Sequence, residues 1–151
     1  MTVQSFMTSP ALSLRPDDTV GAAAQQLIEN RFVNLPVAEK DGHYLGLFGV
    51  FELLALALPK AALDEAAALD LGFLKDDADA VQEQLESARF FRIGDHLNST
   101  APVLHPDSGT LEAILQLYRS RNTLAVVEKP SHRLVGMVSY WDAFRALMSQ
   151  R

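Results

Sequence analysis

The sequence predicts an α+β fold in which two β-α-β-β-α repeats pack on each other with pseudo-twofold symmetry. Three observations predict it. Short motifs recur about 90 residues apart, apolar segments alternate with stretches of helical periodicity, and an alanine-, leucine- and glutamate-rich stretch separates the two copies. We divide the chain into a first repeat (1–58), an inserted helical segment (59–93) and a second repeat (94–151).

The duplication rests on matched residues that follow the same order in both copies. Pro16-Asp17 matches Pro106-Asp107, and Gly46 matches Gly136. The apolar segment L-P-V at 35–37 matches A-V-V at 125–127. Each copy is too small to bury its own apolar face, so we expect the two copies to pack face to face.

The sequence pattern predicts the same order of helices and strands in both copies. A short extended segment ends at the Pro-Asp pair, and Thr19 or Thr110 has the chemistry of an N-cap for the helix that follows. Two apolar strands joined by a turn come next, at 33–38 and 44–48 in the first copy and at 123–128 and 134–138 in the second. A last helix is expected to begin near Gly49 or Ser139.

Helical periodicity also predicts which helix faces are buried. In the first helix of the second copy, the predicted buried residues are Leu111, Ile114, Leu115 and Tyr118. Within the insertion, Gly72 and the aspartates at 76–79 are expected to separate two helices. The second of these helices carries a narrow apolar stripe of Val81, Leu85 and Ala88.

Composition narrows the class of function. The chain has 151 residues, no cysteine and a net charge of −6. These values exclude disulfides and cysteine-ligated metals, and they disfavour nucleic acid, whose phosphates need a basic surface. The last third is different, because residues 96–151 carry six basic and four acidic side chains. A small anion responds to its local field, so this third is the expected anion side.

The sequence predicts neither secretion nor membrane insertion. The N-terminal stretch M-T-V-Q-S-F-M-T lacks the basic and apolar regions of a secretory leader, so we expect a cytoplasmic protein. The apolar run at 45–58 is 14 residues long and contains Glu52. A membrane-spanning helix needs about 20 apolar residues.

The end of each repeat holds the candidate chemistry. The second copy reads G-M-V-S-Y-W-D-A-F at 136–144, with Ser139 and Asp142 where the first copy has Gly49 and Glu52. A carboxylate can accept both hydroxyls of a ribose, and a hydroxyl at a helix start adds a donor for an anion. The same S-x-x-D pattern is a capping box, in which both side chains serve their own helix. Both interpretations stay open on these residues alone.

The repeated F-M-T-S-P…P-D-D-T-V…N-L-P-V order, with L-V-G-M-V-S-Y-W-D at its end, resembles a tandem pair of CBS domains, the Bateman module. The resemblance covers roughly 1–55 and 94–149 and does not explain 59–93. It implies a regulatory, non-catalytic module with no catalytic cofactor. Such pairs often bind AMP, ADP, ATP or S-adenosylmethionine and commonly form homodimers. No attached domain follows in this chain, so the expected output is to a separate protein partner.

The resemblance also implies site residues in the second-repeat cleft. The hydroxyl of Ser139 would approach a phosphate, Asp142 would bind the ribose, and Arg121 would contact the phosphate. Thr100 and Ala101 would line the adenine slot, with Met137 on its wall. The first cleft, with Arg31, Gly49 and Glu52, departs from the pattern and is expected to be empty or non-standard.

Two classes of function therefore remain. One is a sensor whose ligand rigidifies the cleft between the repeats and shifts the 59–93 helices or a dimer contact. The other is a ligand-free dimerisation or interaction scaffold, with both clefts filled by their own side chains. No nucleophile–base pair indicates an enzyme, and the four histidines show no i, i+4 pairing that would indicate a metal site.

Overall fold

The computed structural model describes residues 1–58 and 78–149. It confirms the α+β fold of two β-α-β-β-α repeats. The first repeat contains α1 (Val20–Asn30), β1 (Asn34–Ala38), β2 (Tyr44–Gly49) and α2 (Val50–Ala57). Helix α3 (Ala78–Ala88) precedes the second repeat, which contains α4 (Thr110–Ser120), β3 (Leu124–Val127), β4 (Leu134–Val138) and α5 (Tyr140–Ser149).

The first strand of each repeat is reduced to a single bridge. Leu14 pairs in parallel with Val37, and Leu104 pairs in parallel with Val126. The other two strands form antiparallel pairs, β1 with β2 and β3 with β4, each with one irregularity in register near its outer end. The predicted extended segments are therefore present, but each contributes only one residue to its sheet.

The two repeats cap their first helices differently. The hydroxyl of Thr19 accepts a hydrogen bond from the N–H of Ala22 at 3.1 Å, which confirms the predicted N-cap of α1. The prediction for Thr110 is wrong, because Gly109 occupies the N-cap of α4. The second copy has one extra residue at this point, and Thr110 becomes the first helical residue, with its hydroxyl donating to the carbonyl of Met1.

The predicted buried face of α4 is also wrong. Leu111 and Tyr118 are 82% and 69% exposed, and the fully buried residues are Ala113 and Leu117. These two match Ala23 and Leu27, which are buried in α1. The helix is rotated so that a small residue and one leucine face the sheet. Leu115 is also exposed and Ile114 is only partly buried.

The two repeats share a core. One apolar cluster consists mainly of the first repeat but includes Met137, and another consists mainly of the second repeat but includes Val3. A third cluster joins Tyr44 and Leu47 of the first repeat to Ala125 and Val127 of the second. A backbone hydrogen bond also joins the two repeats here, from the N–H of Tyr44 to the carbonyl of His132 at 3.0 Å. The face-to-face packing expected from two incomplete repeats is therefore present.

The segment that leads into each repeat pairs with the hairpin of the other repeat. Thr8 exchanges two backbone hydrogen bonds with Met137 in β4, at 2.8 and 3.0 Å, and Asn98 exchanges two with Leu47 in β2, at 2.7 and 2.9 Å. We call 6–10 and 96–100 the head segments.

The matched glycines make this exchange of head segments possible. A Cβ at Gly136 would lie 2.9 Å from the carbonyl oxygen of Thr8, and one at Gly46 would lie 2.5 Å from that of Asn98. Both positions therefore need a residue without a side chain, because the crossing backbone comes too close for any other.

Helix α3 lies within the predicted insertion and packs on α2. Of its predicted apolar stripe, Ala88 is buried, whereas Val81 and Leu85 are 40% and 36% exposed. The side-chain amide of Gln84 donates to the carbonyls of Leu56 and Leu58, at 3.0 and 2.7 Å. These bonds satisfy carbonyls that a helix end leaves without partners. The other predicted helix of the insertion, before Gly72, lies outside the described residues.

Candidate functional site

Asp142 and Ser139 form a capping box at the start of α5. Asp142 Oδ2 accepts hydrogen bonds from the N–H of Ser139 at 2.9 Å and from its hydroxyl at 3.1 Å. In return, the N–H of Asp142 donates to Ser139 Oγ at 3.2 Å. This reciprocal pattern satisfies two N–H groups at the helix start. Of the two interpretations that the sequence leaves open, capping is the one with direct contacts in the structure.

The same carboxylate is bound by the head segment of the first repeat. The hydroxyl of Thr8 lies 3.2 Å from both Oδ1 and Oδ2 of Asp142. Arg145, one turn further along α5, approaches Oδ1 at 3.6 Å. Asp142 is only 7% exposed. Oδ2 thus belongs to the cap, whereas Oδ1 has, within the described part of the chain, only the long Thr8 contact and the more distant guanidinium.

Met137 lies next to this contact, but Thr100 and Ala101 do not. Met137 is buried, and its backbone is bonded to Thr8. Among the residues that the structure describes, Thr100 hydrogen-bonds only to Asn98, whose backbone is paired with Leu47 of the first repeat. Ala101 packs on the shared cluster between the repeats. The second head segment therefore lies beside β2. The first head segment, and not Thr100 and Ala101 as predicted, lies beside Asp142.

Arg121 and Arg31 occupy equivalent helix ends. Both are C-cap residues in the left-handed region, with φ of 60° and 57°, and both donate their backbone N–H to the carbonyl four residues earlier. The Arg121 guanidinium lies over the ring of Tyr118, 5.2 Å from its centroid. The structure thus brings Arg121 to the groove between α4 and α5. No hydrogen bond or ion pair joins it to Ser139 or Asp142, all three being described residues.

Gly49 and Glu52 form the equivalent helix start in the first repeat. Glu52 Oε1 accepts a hydrogen bond from the N–H of Gly49 at 2.8 Å, which is half of a capping box. Burial raises the pKa of the Glu52 carboxyl, and the backbone hydrogen bonds from Gly49 and Glu52 offset this only in part. A Cβ at Gly49 would lie 2.2 Å from the carbonyl oxygen of Val33. The first repeat therefore has no space for a counterpart of Ser139.

A groove of about 450 Å³ lies beside Asp142. The N-terminal part of the first repeat contributes Ser5 and Phe6, and α5 contributes Asp142 and Arg145. Its volume is within the usual range of about 300–1,000 Å³ for small-molecule sites. The groove brings together one carboxylate, one guanidinium and hydroxyl groups, which suits a polar anionic ligand with sugar-like hydroxyls.

Thr8 and Arg145 contact Asp142 but are not among the site residues predicted from the sequence. Thr8 belongs to the repeated motif F-M-T-S-P. The repetition of this motif does not indicate that Thr8 pairs with β4 of the second repeat. The signal available was Gly136, whose lack of a side chain marks a close crossing of backbone. Arg145 stands three residues after Asp142, a spacing at which helical side chains meet.

No group of three or more potential metal ligands occurs within residues 1–58 and 78–149. In the same two ranges, no helix is long and apolar enough to cross a membrane. The expected cytoplasmic location stays a prediction.

Comparison with known proteins identifies the class. Residues 3–58 and 93–149 each match the model of the CBS domain family. The chain therefore belongs to the CBS domain family and contains a tandem CBS pair, as the motifs predict.

Individual relatives agree with this assignment. The chain is 29% identical over 153 residues to the CBS domain-containing protein CBSX1, chloroplastic, of Arabidopsis thaliana. The alignment covers 97% of this chain and 64% of that protein.

Solved structures of CBS-pair proteins have the same fold. The crystal structure of CBSX2 from Arabidopsis thaliana is similar with a TM-score of 0.76 at 21% identity, over 97% of this chain and 94% of the other. The crystal structure of CBSX2 in complex with AMP gives a TM-score of 0.70 at 21% identity, over 97% and 96%. A CBS domain-containing protein of unknown function from Bacillus anthracis gives 0.75 at 12% identity, over 100% and 95%.

Proposed function

We propose that this CBS pair is a regulatory module that binds an adenosine compound at Asp142 and signals to a separate protein partner. The observation that carries the proposal is the state of Asp142 Oδ1. Among residues 1–58 and 78–149, only the Thr8 hydroxyl at 3.2 Å and Arg145 at 3.6 Å approach it, beside a groove of about 450 Å³. A carboxylate oxygen can accept more than one hydrogen bond. The AMP complex of CBSX2 supports the choice of an adenosine compound.

The chemistry of the site suggests how binding is coupled to the fold. A ribose hydroxyl would replace the hydroxyl of Thr8 on Oδ1, while Oδ2 stays on the Ser139 backbone. Arg145, whose side chain is 74% exposed, would meet a phosphate. Displacing Thr8 would loosen the head segment of the first repeat from the last helix.

We further propose that the module acts as a homodimer, which light scattering can test.

Thermal unfolding with AMP, ADP, ATP and S-adenosylmethionine tests the function. A ligand at a hundredfold above its Kd adds about 2.7 kcal/mol of stability. For a chain of this size the midpoint should rise by roughly 5–10 °C. The absence of a rise with all four compounds at millimolar concentration would refute the sensor.

Variants test the site itself by calorimetric titration of the best ligand. Asp142→Asn keeps one acceptor oxygen for the cap but removes the charge, and it should weaken binding at least tenfold. Arg145→Ala should weaken phosphate-bearing ligands more than S-adenosylmethionine. Arg121→Ala is the matched control, because Arg121 lies at another groove, and it should leave the affinity unchanged. Equal loss in the Asp142 and Arg121 variants would place the ligand elsewhere.

A second function is favoured by the capping box. Asp142 is 7% exposed and already bonded to Ser139 and Thr8, as expected of a ligand-free scaffold. In that case no adenosine compound should raise the unfolding midpoint. Ser139→Ala, which removes the hydroxyl of the cap, would then lower stability by about 1 kcal/mol, the contribution of one cap, and would change nothing else.

A further inference from the structure

Two histidines from different repeats meet where the two hairpins touch. His43 lies in the connection between β1 and β2, and His132 lies in the connection between β3 and β4. Their ring centroids are 5.3 Å apart, and the ring planes are tilted by 50°. Both residues are exposed, so the pair is open to solvent. The function proposed above does not use them.

Main-chain hydrogen bonds hold both histidines in place. The N–H of His132 donates to the carbonyl of Glu128 at 2.8 Å, and its carbonyl accepts from the N–H of Tyr44 at 3.0 Å. The carbonyl of His43 accepts from the N–H of Glu39 at 2.9 Å. The two rings are therefore presented from a fixed backbone, and a ligand that binds both does not have to order the chain first.

The ring nitrogens of both histidines are available to a ligand. Within residues 1–58 and 78–149, neither imidazole makes a hydrogen bond or an ion pair. Their contacts are the one between the two rings and that of His132 with the ring of Tyr44, at 5.6 Å between centroids. His105 differs, because its Nδ1 lies 2.8 Å from the carbonyl oxygen of Val127. A neutral imidazole of His43 or His132 can thus offer a nitrogen lone pair.

The separation of the two rings matches what a shared metal ion requires. Zinc binds imidazole nitrogen at about 2.0–2.1 Å and prefers a tetrahedral arrangement of ligands. Two imidazoles on one such ion have ring centroids roughly 5 Å apart, and the observed distance is 5.3 Å. Because both side chains are exposed, rotation of each ring about its bond to Cβ can direct one nitrogen of each to the same point.

The charges around the pair do not oppose a cation. The two turns, 39–43 and 128–133, carry three acidic and three basic side chains. The side chain of Arg133 lies over the first turn, with Nε 3.1 Å from where a Cβ on Gly42 would be. Asp41 offsets this charge beside His43, since its Oδ1 accepts a hydrogen bond from the N–H of His43 at 3.0 Å. The local field is therefore close to neutral.

We propose that His43 and His132 together bind one divalent transition-metal ion of the zinc class, with water completing its coordination. Imidazole ligands suit zinc, nickel and copper, whereas magnesium and calcium take oxygen ligands. Because one ligand comes from each repeat, the ion joins the two repeats at their hairpin turns. The site shares no residue with the groove beside Asp142, so it is independent of adenosine binding.

Calorimetric titration with zinc chloride tests the proposal. We expect one ion per chain. His43→Asn and His132→Asn should each weaken binding at least tenfold, because either change leaves a single imidazole and removes the chelate. Asparagine suits position 132, where φ is 58°, in the left-handed region that this residue tolerates. His96→Asn is the matched control, since His96 stacks on Phe91 and not on a second histidine, and it should leave the affinity unchanged.

Thermal unfolding gives a second readout of the same site. Zinc at a hundredfold above its Kd should raise the unfolding midpoint by roughly 5 °C, and EDTA should reverse the rise. The two asparagine variants at 43 and 132 should show no rise, and circular dichroism establishes that each is folded. Magnesium at the same concentration should have no effect on the wild-type protein, because it prefers oxygen ligands.

Three outcomes would overturn the proposal. Two ions per chain, each lost with one histidine, would mean that His43 and His132 bind metal separately. An unchanged affinity in either asparagine variant would place the ion elsewhere on the chain. The absence of saturable binding at millimolar zinc would reject the site altogether.

Discussion

The hydroxyl of Thr8 donates to the carboxylate of Asp142 across 134 residues of chain, at 3.2 Å from each oxygen. Because Asp142 also caps α5 through Ser139, one carboxylate ties the beginning of the first repeat to the last helix of the second. Capping and ligand binding therefore do not exclude each other at this residue. Oδ2 serves the helix, and the Thr8 hydroxyl lies equally close to both oxygens; in the proposed function, a sugar hydroxyl replaces it on Oδ1.

Replacing Thr8 with valine should destabilise the protein by about 1.5 kcal/mol. The shapes are nearly equal, so the change removes only the hydroxyl. Hydrogen bonds to charged groups contribute about 1.5–3 kcal/mol, and the two 3.2 Å distances place this one at the lower end. Urea unfolding at neutral pH measures the difference.

Thr100→Val is the matched control at the other head segment. Thr100 is exposed, and its hydroxyl bonds to Asn98, two residues earlier. Its loss should change the free energy of unfolding by no more than about 0.5 kcal/mol. If the two valine variants are equally stable, the contact between Thr8 and Asp142 contributes nothing to the joining of the repeats.

This cross-pairing explains why the fold could be predicted from the sequence but the site only in part. Repetition and strand periodicity depend on neighbours in sequence, and they predict both repeats. Which head segment lies beside Asp142 depends on the packing of the two repeats. The prediction of one site with Thr100, Ser139 and Asp142 assumes that the head segment of a repeat packs on the hairpin of the same repeat. Gly46 and Gly136 are required because the backbones of Asn98 and Thr8 pass close to them. The sequence shows the two glycines but not the segments that approach them.

Serine substitutions should have opposite effects at two helix starts. Gly49→Ser would place a Cβ 2.2 Å from the carbonyl oxygen of Val33, and it should cost several kcal/mol or prevent folding. Gly109→Ser meets no atom within 4 Å, at a φ of −75°. It adds a hydroxyl at the N-cap of α4 and should stabilise by about 0.5 kcal/mol. Thermal unfolding of both variants checks this, and a stable Gly49→Ser protein would contradict the close approach to β1.

Two leucines of α4 should differ sharply when each is replaced by alanine. Leu117 is 4% exposed, and its loss should cost about 2–5 kcal/mol through the cavity that it leaves. Leu111 is 82% exposed, and its loss should change stability by no more than about 0.5 kcal/mol. Urea unfolding measures both, and similar values would contradict the observed rotation of the helix.

The same two positions show why sequence alone assigned the wrong face to α4. Large apolar side chains at helical spacing predict a buried face, and Leu111, Leu115 and Tyr118 have both features. The face that is buried carries only one alanine and one leucine, so its periodic signal is weaker. Burial in this fold depends on the close approach of helix and sheet, which favours the small side chain of Ala113. Comparison with Ala23 and Leu27 of the first copy contains that information, because the same small and large residues recur there.

Glu52→Gln should stabilise the protein relative to wild type increasingly as the pH rises. Burial raises the pKa of the Glu52 carboxyl above its value in the unfolded chain. Such a group contributes stability that is complete below its unfolded pKa, about 4.3, and that is lost as the pH rises through the folded value. Glutamine keeps the oxygen that accepts from the N–H of Gly49 but carries no charge. Urea unfolding of both proteins at about pH 4 and at pH 7 isolates this group, since the other titrations are common to both. A difference in free energy that is the same at both pH values would show that the buried carboxylate carries no cost in the fold.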